Sequence, residues 1–194
     1  GPVGHDVESA DMPIFESPLS ACLVVLALWL GIGICGVIRP DNLRLIARVL
    51  FPLSAVCGAA LALIAAASIA SPAESVTLVI GLPDLPIHAR LDALSGVFLF
   101  LLGAATTGIS VFAAGYFRKG EGTAPGLLCL QYHLFLAAMG FVLVADDAYG
   151  FMVAWETMAL SSYFLVTAQH GLPEIRRAGY LYLLIAHIGA LAIL

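Results

Sequence analysis

Ser17-Pro-Leu-Ser-Ala-Cys-Leu-Val-Val-Leu-Ala-Leu-Trp-Leu-Gly-Ile-Gly-Ile-Cys-Gly-Val-Ile38 contains no charged side chain. A helix crossing a ~30 Å hydrocarbon core needs about 20 such residues. The same pattern recurs along the chain. Further uncharged runs cover 49–73, 93–117, 122–145 and 178–194, and another, 148–173, is interrupted only by Glu156. Over all 194 residues, 61% are apolar and 11% charged, with mean hydropathy +1.03. A soluble domain carries about 45–50% apolar and about 25% charged residues. Hydrocarbon offers no water to backbone amides, so the runs read as helices. The alternating ten-residue segments of a membrane barrel are absent. The expected fold is therefore all-α, a polytopic transmembrane bundle of six helices.

The punctuation fixes the spans. Helix 1 is expected over 18–38, with Pro18 in its first turn and Pro40 beyond its end. Helix 2 is expected over 44–71, with Pro52 as a source of a kink. Residues 72–90 carry the β-branched run Val76, Thr77, Val79, Ile80, then Gly81 and Pro83, which predicts a small extramembrane hairpin. Helices 3, 4 and 5 are expected over 92–116, 127–145 and 149–169, with Gly171 and Pro173 ending the last. Helix 6 is expected from 177 to Leu194, a short span that implies continuation of the natural protein. Residues 1–11 read as a tag remnant or disordered lead, with Met12 as the native start. This divides the chain into 1–11, a peripheral part 12–91 with two helices and the hairpin, and 92–194.

Basic residues alternate between connections. Arg39, Arg44 and Arg48 follow helix 1, Arg118 and Lys119 follow helix 3, and Arg176 and Arg177 follow helix 5. The other connections carry Arg90 against Glu74, Asp84, Asp146 and Asp147. The positive-inside rule then places the N-terminus outside an inner (cytoplasmic) membrane. The flank Asp6, Glu8, Asp11 and Glu16 is acidic, unlike the basic start of a signal peptide, which argues for a retained first helix. The net charge of −5 comes without a basic patch, so nucleic acid is not an expected partner. The main partner is the lipid bilayer.

Glu156 carries most of the functional signal. A charge at the bilayer centre costs at least about 2.5–3.5 kcal/mol on insertion scales. Nine residues past Asp147, it lies about 13 Å down helix 5. A carboxyl there can take up and release protons, as a relay requires. The competing structural reading is a protonated Glu bonded to a neighbouring helix. No Lys or Arg lies mid-span to pair with it. His133 in helix 4 and His187 in helix 6 are the other titratable groups inside apolar runs, and imidazole passes protons through either nitrogen. For each histidine alone, an interhelical hydrogen bond is as reasonable a role as a relay. Together the three define the candidate proton-transfer residues. Thr106, Thr107, Thr157, Ser161, Ser162 and Tyr163 add hydroxyls, read first as ordinary interhelical hydrogen-bonding groups and second as supports for a water wire.

Other motifs resolve against chemistry. Gly31-Ile-Gly33-Ile-Cys35-Gly36 matches G-x-G-x-x-G, but a dinucleotide fingerprint follows a strand and opens a helix. At the end of a membrane helix it reads as close-packing surface. Cys22, Cys35, Cys57 and Cys129 lie in apolar runs without a C-x-x-C pair and read as small packing residues. No P-loop, zinc, haem or nucleophile-elbow pattern appears, so no cofactor, metal or catalytic residue is expected in the chain itself.

Ala145-Asp146-Asp147, followed by Phe151-Met-Val-Ala-Trp155-Glu156-Thr-Met-Ala-Leu-Ser161-Ser162-Tyr163-Phe-Leu-Val, resembles the fifth helix of antiporter-like membrane subunits. These occur in respiratory complex I, group-4 membrane-bound nickel–iron hydrogenases and multisubunit sodium/proton antiporters. Arg90-Leu-Asp92-Ala-Leu-Ser95 resembles the stretch leading into the family's third helix. Trp155-Glu156 and Ala186-His187-Ile-Gly189 are most similar to the large antiporter-like subunit of hydrogenase-4 and formate hydrogenlyase. The likeness runs over 85–194. It implies a fold of about fourteen helices with two inverted five-helix repeats, of which this chain holds the first peripheral helices and the start of one repeat. It implies that Glu156 is the helix-5 glutamate, whose partner is a lysine on a broken seventh helix beyond Leu194. His187 stands where some relatives carry other polar residues.

The resemblance implies a proton-translocating membrane subunit of a redox complex, most similar to a hydrogenase, with other membrane subunits and a soluble redox arm as partners. The chain itself would not be catalytic. Two rivals stand beside this reading: a sodium/proton antiporter subunit without a redox partner, and a structural membrane anchor in which Glu156 and the histidines only hold helices together.

Overall fold

The computed structural model describes residues 17–82, 85–116 and 122–193. The expected features on 1–16, including the acidic flank and Met12, and those on Pro83, Asp84, Arg118 and Lys119, lie outside the described residues. Six helices and one hairpin follow in chain order. They are α1 (Pro18–Ile38), α2 (Leu43–Ser68), β1 (Glu74–Leu82), β2 (Leu85–Leu91), α3 (Ala93–Tyr116), α4 (Pro125–Val142), α5 (Ala148–Val166) and α6 (Pro173–Ile193). The protein is thus an all-α membrane bundle. Of these helices α1, α2, α3 and α4 are long and apolar enough to cross a membrane. The sequence of α5 is diluted by Glu156 and a row of hydroxyls, and α6 opens with Glu174, Arg176 and Arg177.

Prolines start helices here more often than they stop them. Pro18 and Pro125 occupy first-turn positions of α1 and α4, where a missing N–H costs nothing. Pro173 does the same for α6, which begins four residues before the position expected from sequence and runs for 21 residues. The expectation that Pro173 only closes helix 5 is thereby corrected: α5 has already ended at Val166. Ser17 caps α1, its hydroxyl accepting from the Ser20 amide at 3.2 Å. Pro52 is absorbed rather than broken around. Ile46–Leu50 form a π turn directly before it, with the Phe51 amide donating to the Ile46 carbonyl. The wider turn gives room where the proline ring would press on the preceding backbone.

Small residues set the helix spacing. With lipid as apolar as the core, close backbone approach holds the helices rather than a hydrophobic driving force. On the α2–α3 seam Gly58 faces Gly103; a methyl group built on Gly103 would lie 2.6 Å from both the Ala62 nitrogen and the Gly58 oxygen. On the α1–α4 seam Gly33 lies against His133 and Gly36 against Cys129. The glycine-rich motif at 31–36 is therefore packing surface, although Gly31 itself faces open space.

The hairpin pairs Glu74 with Leu91 through Leu78 with Ile87, then shifts register before Gly81, whose φ of 151° suits glycine alone. In β2, Ile87, Ala89 and Leu91 are buried, the period of two that a half-covered strand requires. The α4–α5 connection adds a rung: the Arg90 amide donates to the Val144 carbonyl at 2.7 Å, and the Asp146 amide to the His88 carbonyl at 2.9 Å. At the same end the Glu74 carboxylate accepts from the Leu19 amide at 3.0 Å. The opposite end gathers the connections bearing Arg39, Arg44, Arg48, Arg176 and Arg177, tied by Gly126 N–H to Pro40 O and Thr123 N–H to Ala168 O. The acidic and basic connections thus segregate to opposite ends of the bundle.

Replacing Gly103 by Val should force α2 and α3 apart and lower stability by about 1–3 kcal/mol. Gly108→Ala, where nothing lies within 4 Å, should leave stability unchanged or raised by up to about 1 kcal/mol. Thermal unfolding in detergent compares the two, and an equal response would refute the seam's role.

Candidate functional site

Glu156 lies midway along α5, and His187 lies on α6, which runs antiparallel beside it. The Glu156 Oε2 and His187 Nε2 atoms are 3.1 Å apart. The sequence offered no cation to Glu156; the fold supplies an imidazole. The second ring nitrogen decides the chemistry. His187 Nδ1 lies 2.9 Å from the Leu183 carbonyl oxygen. A carbonyl only accepts, so Nδ1 carries a proton. The 3.1 Å contact at Nε2 then needs one further proton, held either by the carboxyl or by the ring. Written either way, Glu–COOH with neutral His or Glu–COO⁻ with imidazolium, the pair contains a single transferable proton. Side-chain exposure is 41% for Glu156 and 47% for His187, so the pair opens on the outer face of the α5–α6 hairpin.

The flanking contacts hold this register. One level toward the basic end, Tyr182 Oη lies 2.7 Å from Ser162 Oγ, which itself donates to the Ala159 carbonyl. Ser162 has therefore spent its proton, and Tyr182 is the donor between them. Further on, Gly179 lets α6 approach Thr167 and Tyr163 closely.

His133 stands elsewhere. It is fully buried on α4, against Gly33 of α1, with its ring 5.8 Å from Phe51 of α2 and 5.2 Å from Tyr132. Its Nδ1 donates to the Cys129 carbonyl at 2.7 Å, which leaves Nε2 as an acceptor. The structure thus brings two of the three sequence-level candidates together and sets the third against other helices. Most of the hydroxyls named from sequence are spent on their own helix. Thr107 donates to Gly103 O, Thr157 to Val153 O, and Ser161 to Thr157 O. Thr106 differs, since its Oγ1 is buried without a hydrogen-bond partner among the described residues. Reading the sequence missed Tyr182, and also Ser54, Ser110 and Tyr132, which join in one chain. Ser110 Oγ donates to Ser54 Oγ at 3.2 Å and lies 3.0 Å from Tyr132 Oη. Their only sequence signal is a hydroxyl inside an uncharged run. Among the described residues no group of three or more His, Cys, Asp or Glu is placed to hold a metal ion.

What points α5 is its N-cap. Asp147 Oδ1 accepts from the Gly150 amide at 2.6 Å, while Oδ2 accepts from the His88 amide of β2 at 2.7 Å. One carboxylate therefore caps the helix that carries Glu156 and fastens it to the hairpin. Partial burial opposes its charge, but the amides of Gly150 and His88 outweigh that and hold Asp147 below the usual carboxylate range.

No protein-family model matches the chain. Over 114 residues, 58% of the chain, it is 37% identical to an uncharacterised protein of Mycobacterium tuberculosis, matched in two strains. Over 105 residues, 54% of the chain, it is 35% identical to hydrogenase-4 component B of Escherichia coli. The matched stretches span only 17% and 16% of those proteins' lengths.

Asp147→Ala should cost about 1 kcal/mol through loss of the cap. The folded-state value of Asp147 is depressed, so its contribution is present at neutral pH and disappears as pH falls through that value. Melting curves of wild type and variant should differ at pH 7 and converge under acid; a constant gap would show that charge is not involved.

Proposed function

We propose that this chain is part of a proton-translocating, antiporter-like subunit of a membrane-bound redox complex, with Glu156 and His187 as its proton-transfer pair. The observation that carries the reading is the 3.1 Å contact on two antiparallel helices, with His187 Nδ1 already committed to a carbonyl. A purely structural contact would be served by a neutral amide. A carboxyl–imidazole pair sharing one proton can hold it on either partner, which is what a relay site requires. The identity with hydrogenase-4 component B supports placement in a hydrogenase-type assembly. In that setting other membrane subunits and a soluble redox arm would surround the chain, and electron transfer would occur outside it.

Sidedness follows from the segregated charges. The end bearing Arg39, Arg44, Arg48, Arg176 and Arg177 would face the cytoplasm, and the hairpin end the outside of an inner membrane. The family resemblance further assigns Glu156 a lysine partner on another helix. His187 would then be the proton's second station and the lysine the group that drives it on or off the carboxyl.

Sealed vesicles containing the full-length complex test the proposal, with electron transfer measured in parallel. Glu156→Gln and His187→Gln should each lower proton uptake roughly tenfold or more while the complex assembles. Undiminished uptake in Glu156→Gln would return the residue to a structural role and favour the anchor reading.

A further inference from the structure

Away from Glu156, the interior between α1, α2, α3 and α4 contains a line of polar atoms that the pair does not use. Its middle is the hydroxyl chain Tyr132–Ser110–Ser54. Ser54 and Ser110 are fully buried. The Trp29 indole N–H reaches the Ser54 carbonyl at 3.5 Å. Beyond the chain on one side is His133 Nε2; on the other is Thr106 Oγ1, one turn from Ser110 on the same face of α3. Both atoms are buried and lack a hydrogen-bond partner among the described residues.

The helix registers give these atoms an order. His133 packs on Phe51, three residues before Ser54 on α2, and Ser54 meets Ser110, four residues after Thr106. At 1.5 Å per residue the line from His133 to Thr106 covers about 10 Å along the bundle axis. The two unpartnered atoms therefore stand at the two ends of one seam, with the bonded hydroxyls between them. His133 has 0% and Thr106 1% exposure. With both already enclosed, another helix or subunit cannot reach them. Buried polar groups in native proteins are satisfied, and what fits inside a packed bundle is water. A hydroxyl or a water both donates and accepts, so a connected file of them can pass a proton by successive exchange, whereas apolar packing cannot.

We propose that water bound at His133 Nε2 and at Thr106 Oγ1 extends the Tyr132–Ser110–Ser54 chain into a buried, proton-exchanging file that is separate from the Glu156–His187 pair. Within the chain Ser110 accepts from Tyr132 and donates to Ser54, so the hydroxyls share one direction of exchange. A proton arriving at one end displaces one at the other, and no bond other than O–H or N–H is broken. At its end of the seam His133 accepts at Nε2, while Nδ1 stays bonded to the Cys129 carbonyl. The water sites stand without the transport reading; conduction along the file rests on it.

Two measurements on the full-length complex decide the matter. A cryo-electron-microscopy map that resolves ordered water should show density within hydrogen-bonding distance of both His133 Nε2 and Thr106 Oγ1. A dry site at either atom overturns the proposal. In vesicles, Tyr132→Phe and Ser110→Ala each cut the chain and keep the packing, and should lower proton uptake roughly tenfold or more. If both variants pump like wild type, the file does not conduct. If at the same time Glu156→Gln abolishes uptake, the transport reading survives and only the file is lost.

Discussion

Everything in this bundle follows from the absence of water in the hydrocarbon around it. Backbone amides there must find partners within their own segment, so the apolar runs become helices. The same constraint governs the side chains. A hydroxyl inside the bundle bonds back to a carbonyl one turn away, as Thr157 and Ser161 do, or reaches across to another helix, as Tyr182, Ser110 and Tyr132 do. A carboxyl has no such local outlet, and Glu156 is met instead by the imidazole of a neighbouring helix. Polar chemistry is concentrated into a few contacts because so few are allowed.

Close packing serves that economy. Glycines on the α1–α4 and α2–α3 seams bring backbones near enough for side chains such as His133 to be sealed from lipid. The outer pair is organised differently. Its geometry depends on α5, whose start is fixed by the Asp147 carboxylate and the hairpin strand beneath it. The hairpin is thus more than a connection between α2 and α3. It braces the first helix through Glu74 and the fifth through Asp147, and so ties parts of the chain that are not otherwise neighbours in sequence.

Much of the fold was legible because hydropathy and proline position are local signals. The limits of α1 and α3, and the hairpin beneath them, are readable from uncharged length, Pro18 and the β-branched run at 76–80. The start of α6 was misplaced because a proline after a glycine suits the end of one helix as well as the beginning of the next, and only the early end of α5 separates the two. The π turn before Pro52 was not legible, since a kink and a widened turn are two answers to the same clash. Glu156 stood out as a lone charge, but its contact with His187 depends on how α5 and α6 align, which no local pattern encodes. Ser54, Ser110 and Tyr132 were missed for the same reason: singly each is an unremarkable hydroxyl, and only the registers of α2, α3 and α4 line them up.

The hairpin's two ties also impose an order on synthesis. Glu74 leaves the ribosome 55 residues after Leu19, the amide it holds, and Asp147 comes 59 residues after His88. The first helix therefore enters the membrane before its anchor exists, and the finished hairpin waits, one edge unpaired, until the fifth helix begins to emerge. During that interval the nascent chain carries an open strand edge. The backbone of β2 finds its last partners at Val144 and Asp146 when α4 has already been laid down. Biogenesis of this protein thus passes through a stage in which the first four helices are in place before the β1–β2 hairpin has its last contacts.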